Sequence, residues 1–209
     1  MKIRNTAVIT GASRGIGAAA AQGLAADGYR TVLIARSRKG LEEVKKSILQ
    51  QKSEGPEPVL LPLDITDYDT LSNSLLTVLN TSGPLDILVN SAAVFQEGSL
   101  EQPVEKYQEI LDVNVTAQYS LLRTVVPLMK KQKNGYIFNI ASRSGTYGFP
   151  GGGVYGSTKF ALVGLSESLY RELARFGVRV TSICPGWVDT SMAREAGTPL
   201  ESEHMIPPG

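Results

Sequence analysis

Six short, β-rich apolar runs alternate with longer segments of helical spacing, and this alternation limits the folds open to the chain. The runs are "NTAVIT" (5–10), "RTVLIA" (30–35), "PVLLPL" (58–63), "LDILVN" (85–90), "YIFNIA" (136–141) and "VRVTSIC" (178–184). They are mostly continuous rather than alternating, the pattern of strands covered on both faces. Between them lie "GAAAAQGLAADG" (17–28), "SRKGLEEVKKSILQQK" (37–52), "DYDTLSNSLLTVLN" (67–80), a stretch from about Val104 to Lys131, and "STKFALVGLSESLYRELARFG" (157–177). Each has apolar residues at helical intervals, and most end at glycine or a basic residue. Strand and helix in turn imply βαβ crossovers, hence an α/β fold: a doubly wound parallel sheet with helices on both faces, three layers α/β/α. At 209 residues the chain suits a single domain with a substantial core and is too short for two comfortable ones. The glycine-rich patch "GFPGGG" (148–153) reads as a loop.

Charge and cysteine usage narrow the partners. A formal net charge of +1 gives no electrostatic support to nucleic-acid or membrane-surface binding. No apolar run approaches the roughly 20 residues that span a bilayer. The N-terminus passes from two basic residues into a strand without the apolar region of a signal peptide. The single cysteine, Cys184, lies in an apolar stretch and reads as a buried small residue that cannot form an internal disulfide. That favours a reducing compartment, and a cytoplasmic protein is expected. With one histidine (His204, read as a solvated loop residue) and one cysteine, no zinc site of ordinary spacing is available, and none is expected. A serine hydrolase is disfavoured because the only histidine, His204, sits in the tail.

The first strand–helix junction carries "TGASRGIG" (10–17). Glycines at 11, 15 and 17 allow a sharp turn and close approach to a ligand. The following helix N-terminus offers unpaired N–H groups and the positive end of its dipole to an anion. Alone the trio would serve any tight turn. At this place in a βαβ unit it predicts a dinucleotide pyrophosphate site, and the absence of G-K-[ST] excludes a P-loop. At the end of the second strand, where NAD-binding folds carry Asp or Glu for the ribose 2′-OH, this chain has Arg36, with Arg38 behind it and Arg14 in the glycine turn. Guanidinium groups suit a 2′-phosphate, which predicts NADP(H) rather than NAD(H). The alternative is that these arginines simply face water.

"GVYGSTKFALVG" (153–164) places Tyr155 and Lys159 one helical turn apart on one face. On its own this is either a solvated helix face or a phenol whose pKa is lowered by an ammonium. Taken together, "TGASRGIG", Asp64, "NSAA" (90–93), "VNV" around Asn114, "IAS" ending at Ser142, "YGSTK" (155–159) and "PGWVDT" (185–190) resemble the short-chain dehydrogenase/reductase family, in family order from residue 6 to about 190. The family's usual Asn-Asn-Ala-Gly is here Asn90-Ser91-Ala92-Ala93.

The resemblance implies a Rossmann-type fold and an NAD(P)(H)-dependent oxidoreductase acting on a carbonyl/alcohol pair, such as a ketone, a quinone or a 3-oxoacyl thioester. It implies that Tyr155 is the acid/base, that Lys159 lowers its pKa and bonds the nicotinamide ribose, and that Ser142 donates to the substrate oxygen. Asn114 would hold a proton-relaying water. For the cofactor it implies Gly11, Ser13, Arg14, Gly15, Ile16, Gly17, Arg36, Asp64 at the adenine, Ile65, Asn90, Ala92, Tyr155 and Lys159, with Pro185, Gly186, Val188 and Thr190 at the nicotinamide. Phe95, Phe149, Trp187 and Met192 flank the motifs and suggest an apolar substrate wall. Segment 191–209 would be the start of the family's substrate lid, which usually runs some tens of residues further. Helices from about Val115 to Lys131 and from Ser157 to Phe176 would pair copies into a homodimer or homotetramer. A cofactor-binding protein without turnover is the competing expectation.

Overall fold

The computed structural model describes residues 5–51, 55–198 and 200–208. The end of the second predicted helix (Lys52), the basic start of the chain, and Pro199 and Gly209 of the expected lid lie outside them.

Six parallel strands form one sheet in the order β3-β2-β1-β4-β5-β6: β1 (Thr6–Thr10), β2 (Arg30–Ala35), β3 (Val59–Pro62), β4 (Leu85–Asn90), β5 (Gly135–Ile140) and β6 (Val178–Ile183). The order reverses between β1 and β4, so their carboxyl ends leave a crevice where ligands of such sheets bind. Side-chain alternation sorts the central strands onto two cores. Ala7 and Ile9 of β1 with Leu33 of β2 pack under α1 (Gly15–Ala26) and α2 (Arg38–Gln51), against Ala21, Ala25, Leu41 and Val44. Val8, Val32 and Ile34 face the other way, toward Leu71 and Leu75 of α3 (Tyr68–Ser82) and Leu121, Val125 and Met129 of α5 (Ala117–Gln132). Each fully buried aliphatic side chain stabilises the fold by about 1.5–3 kcal/mol. The three layers and the Rossmann-type order are those expected.

Four local expectations need correcting. The apolar stretch from Val104 is not one helix: α4 (Val104–Leu111) runs into a π-turn, Asp112–Thr116, before α5. There Ala117 N–H bonds the Asp112 carbonyl, an i+5 pairing that hydrophobic spacing does not register. The helix bearing Tyr155, α6, begins at Gly153 and ends at Leu173, so the last glycine of "GFPGGG" is helical. Its start is held by a distant loop, with Ser99 Oγ accepting from Gly153 N–H at 3.1 Å and Gly98 O from Val154 N–H at 3.0 Å. β6 alternates buried and exposed rather than being covered on both faces, because the helices pack on one side of it and α1 does not extend that far. Cys184, next in sequence, is accordingly half-buried rather than buried.

Candidate active site

A cleft of about 940 Å³ runs along the carboxyl ends of the strands. Its floor is the glycine turn. Gly11 and Gly15 have φ of +65° and +55°, a region that favours glycine. A Cβ on Gly11 would stand 2.9 Å from Ala92, and one on Gly17 would stand 2.4 Å from the Gly11 carbonyl. Helix α1 has no side-chain cap and no acidic residue in its first turn. Its first N–H groups and positive dipole end therefore face the cleft without competition, a cradle fitted to a pyrophosphate.

Most of the predicted residues meet on this cleft. Gly11, Ser13, Arg14, Gly15 and Ile16 line one wall, and Arg36, Asp64 and Ile65 line the end beyond β2 and β3. Ala92, Ser142, Tyr155 and Lys159 line the opposite end, with Pro185, Gly186, Val188 and Thr190 closing over it. Gly17, Asn90 and Asn114 stand behind the wall. Gly17 lets α1 approach the turn, and the buried Asn90 donates to Asn139 Oδ1 at 2.9 Å. Asn114 is fully buried, with its amide committed: Oδ1 accepts from Val94 N–H at 2.8 Å, and Nδ2 donates to Val94 O and Thr158 Oγ1. Its side chain thus ties the loop after β4 to α6.

Three cations behave differently. Arg36 is exposed at the end of β2 and contributes, after hydrogen bonds from Thr66, to holding the Asp64 carboxyl below its ordinary range. Asp64 Oδ1 is engaged by Thr66 N–H at 3.0 Å and Thr66 Oγ1 at 2.8 Å. Arg38 turns to Glu42 on α2 and leaves the cleft. Arg14 lies 3.5 Å from Glu195 of α7 (Ser191–Glu195), so it reaches across to the segment after Thr190.

At the other end, α6 carries Tyr155 and Lys159 into the wall. Lys159 is 2% exposed, and its Nζ donates to the Ile140 carbonyl at 2.9 Å, 5.5 Å from the Tyr155 ring centre. The Tyr155 ring packs on Phe95 with centroids 5.2 Å apart. Burial dominates both titrations. It pushes the Tyr155 phenol up to about 12, with hydrogen bonding to Ser142 pulling the other way, and the Lys159 ammonium down to about 8. Burial, which disfavours the phenolate, thus sets the direction at Tyr155, opposite to the lowering expected from the spacing alone. A buried phenol that keeps its proton is a donor at neutral pH.

A model of the short chain dehydrogenase family matches residues 5–201. The chain belongs to the short-chain dehydrogenases. The crystal structure of a betaketoacyl-[ACP] reductase (FabG) from Bacteroides thetaiotaomicron is 55% identical with a TM-score of 0.88, over 99% of this chain and 86% of that one. Actinorhodin polyketide ketoreductase with NADPH is 29% identical with a TM-score of 0.88, over 98% of this chain and 86% of that one. An uncharacterized oxidoreductase of Staphylococcus epidermidis is 38% identical over 187 residues, 89% of this chain and 79% of that protein.

Within this short-chain dehydrogenase, several supports act in ways that no motif announced. Thr10 Oγ1 accepts from Ser91 and Ala92 N–H at 3.0 and 3.1 Å, fixing the "NSAA" loop against the glycine turn. Gln118 Nε2 donates to Ala92 O at 2.9 Å from α5. Gly145 closes the 3-10 turn after Ser142, where a Cβ would stand 2.6 Å from the Lys159 carbonyl. Only a glycine three residues after Ser142 hints at that contact in the sequence.

Proposed function

We propose that this short-chain dehydrogenase is an NADP(H)-dependent carbonyl reductase, with ketones, quinones and 3-oxoacyl thioesters as the substrate classes. The observation that carries the proposal is the meeting of Ser142, Tyr155 and Lys159 at one end of a cleft whose other end presents Arg36. The open N-terminus of α1 lies between them and fits the pyrophosphate. When bound, a reduced nicotinamide supplies the hydride for a carbonyl carbon.

The chain's own residues hold and move the proton. The Tyr155 hydroxyl donates to the carbonyl oxygen as negative charge develops there, and Ser142 offers a second hydrogen bond to the same oxygen. Lys159 places a cation behind the phenol and steadies the phenolate left after transfer. Asn114 holds the Val94 loop and Thr158 in register with the pair. NADPH consumption over a panel of ketones, quinones and oxoacyl esters, beside a cofactor-binding titration, tests the proposal. Binding without turnover on the whole panel would make the chain a cofactor-binding protein instead.

The pH profile follows from the two buried groups. A phenol at about 12 keeps its proton throughout the working range, whereas Lys159 is cationic only below about 8. Reductive kcat/KM is therefore expected to be level from pH 6 to 7 and to fall as pH rises through about 8. A rate that climbs between pH 8 and 10 would show that Lys159 charge plays no part.

No helix among the described residues is long and apolar enough to cross a membrane. From the single cysteine we propose a cytoplasmic protein, and from its exposed helix faces a homodimer or homotetramer. Tyr119 on α5 with Phe160 and Tyr170 on α6 are exposed, more apolar surface than these helices need to cover one sheet face. Light scattering at micromolar concentration is expected to give at least twice the chain mass; monomer alone would refute the assembly.

A further inference from the structure

We infer that the substrate carries an oxyanion group, a carboxylate or a phosphate ester, and that Arg143 binds it. This rests on the carbonyl-reductase reading and names its substrate class. Arg143 follows Ser142 directly and lines the same cleft. Its main-chain N–H donates to Pro185 O at 2.9 Å, which ties it to the turn that closes the cleft. Its side chain lies along that turn, with Cδ 3.4 Å from where a Cβ on Gly186 would stand. On its other side the guanidinium stacks over the Tyr147 ring, 5.4 Å from the centroid. Stacking uses the face of a guanidinium and leaves the N–H donors at its edge open to a carboxylate or phosphate fork.

Those donors are unclaimed. Among the described residues Arg143 has no carboxylate within ion-pairing distance, while its neighbours around the cleft are matched: Arg14 with Glu195 and Arg194 with Asp189. Arg36 is the other unpaired arginine on the cleft, and the cofactor's 2′-phosphate accounts for it. Arg143 is exposed at the cleft, where its donors are open to a substrate anion. The cleft also holds one acidic side chain on the substrate side, Glu97 in the loop after β4. Its repulsion directs an anionic group away from that loop. Phe149 and Trp187 supply apolar surface for the chain that joins the anion to the carbonyl.

Matched pairs of 3-, 4- and 5-oxo acids and their methyl esters, with a keto-alkyl phosphate as a third arm, test this with NADPH. The parent protein is expected to prefer an anion over its ester by tenfold or more in kcat/KM, chiefly through KM, as one charge-assisted contact provides. Arg143→Gln should bring the ratio near one, Arg143→Lys should restore part of it, and Glu97→Gln should leave the anion preferred. The better of the acid and phosphate arms identifies the oxyanion. Equal use of acid and ester by the parent, or an unchanged ratio in Arg143→Gln, would overturn the inference. So would a tenfold rise in the NADPH KM of that variant with acid and ester falling together, which would make Arg143 a cofactor contact. If no ketone is reduced, the same pairs are titrated against the fluorescence of Trp187, the only tryptophan, with NADP⁺ present. Acid-selective quenching lost in Arg143→Gln would sustain the anion site while the reductase reading fails. Unselective or absent quenching would end the inference.

Discussion

Tyr155→Phe is expected to lower NADPH-dependent ketone reduction at least a hundredfold while leaving the Kd for NADPH within a few fold. The substitution removes one oxygen and keeps the ring, so the packing on Phe95 survives. What disappears is the proton donor aimed at the carbonyl oxygen, and positioned acids of this kind contribute about 10²–10⁴-fold. Ser142 remains as a hydrogen-bond donor but, with an ordinary hydroxyl, is a far weaker acid than the phenol. Lys159→Ala should differ in kind. Its ammonium is 2% exposed and bonded to the Ile140 carbonyl, so truncation leaves a cavity and an orphaned acceptor as well as a missing charge. Both turnover and cofactor affinity should fall. Stopped-flow reduction and fluorescence titration separate the two outcomes, and more than a few percent residual turnover in Tyr155→Phe would mean that another group supplies the proton.

Arg36→Asp is expected to reverse or abolish a preference for NADPH over NADH that in the parent is at least tenfold in kcat/KM. The position follows β2 at the adenosine end of the cleft, where a carboxylate would repel a 2′-phosphate and accept from a 2′-hydroxyl. One charge-assisted contact is worth about 1.5–3 kcal/mol, less where solvent screens it, as it does at this exposed arginine. With Arg14 turned toward Glu195, most of the discrimination falls on Arg36 alone. The change should act on KM, since the 2′ position is remote from the reacting carbon, and the parent's preference should shrink as salt rises. Equal use of both cofactors at low salt would show that Arg36 faces water.

The central strands were legible because β1 and β4 are buried along their whole length and so read as unbroken apolar runs. The glycine turn was legible because its φ values and close approaches admit almost nothing else. What was hidden depends on partners remote in sequence. The start of α6 rests on Gly98 and Ser99, the "NSAA" loop on Thr10 and Gln118, and the turn after Ser142 on bare backbone at Lys159. The sign of the Tyr155 shift was hidden for a related reason. Spacing shows that a cation is near, but the depth of burial, which decides the balance, is a property of the assembled layers.

The two ends of the cleft hang on strands of unequal standing in the sheet. β1 has neighbours on both sides, whereas β6 is hydrogen-bonded only to β5 among the described residues. Strands held on one side open more readily in local fluctuations. The glycine turn that follows β1 is thus an anvil, preformed before any ligand arrives, whereas the Pro185–Thr190 segment that follows β6 leans on its bridge to Ile206 and on Arg143 rather than on the sheet. Amide exchange should be slow at Val8 and Ile9 and fast at Ser182 and Ile183 in the apo protein. A dinucleotide would then dock phosphate-first and quiet β6 last, making order at the reacting end a product of binding at the far one.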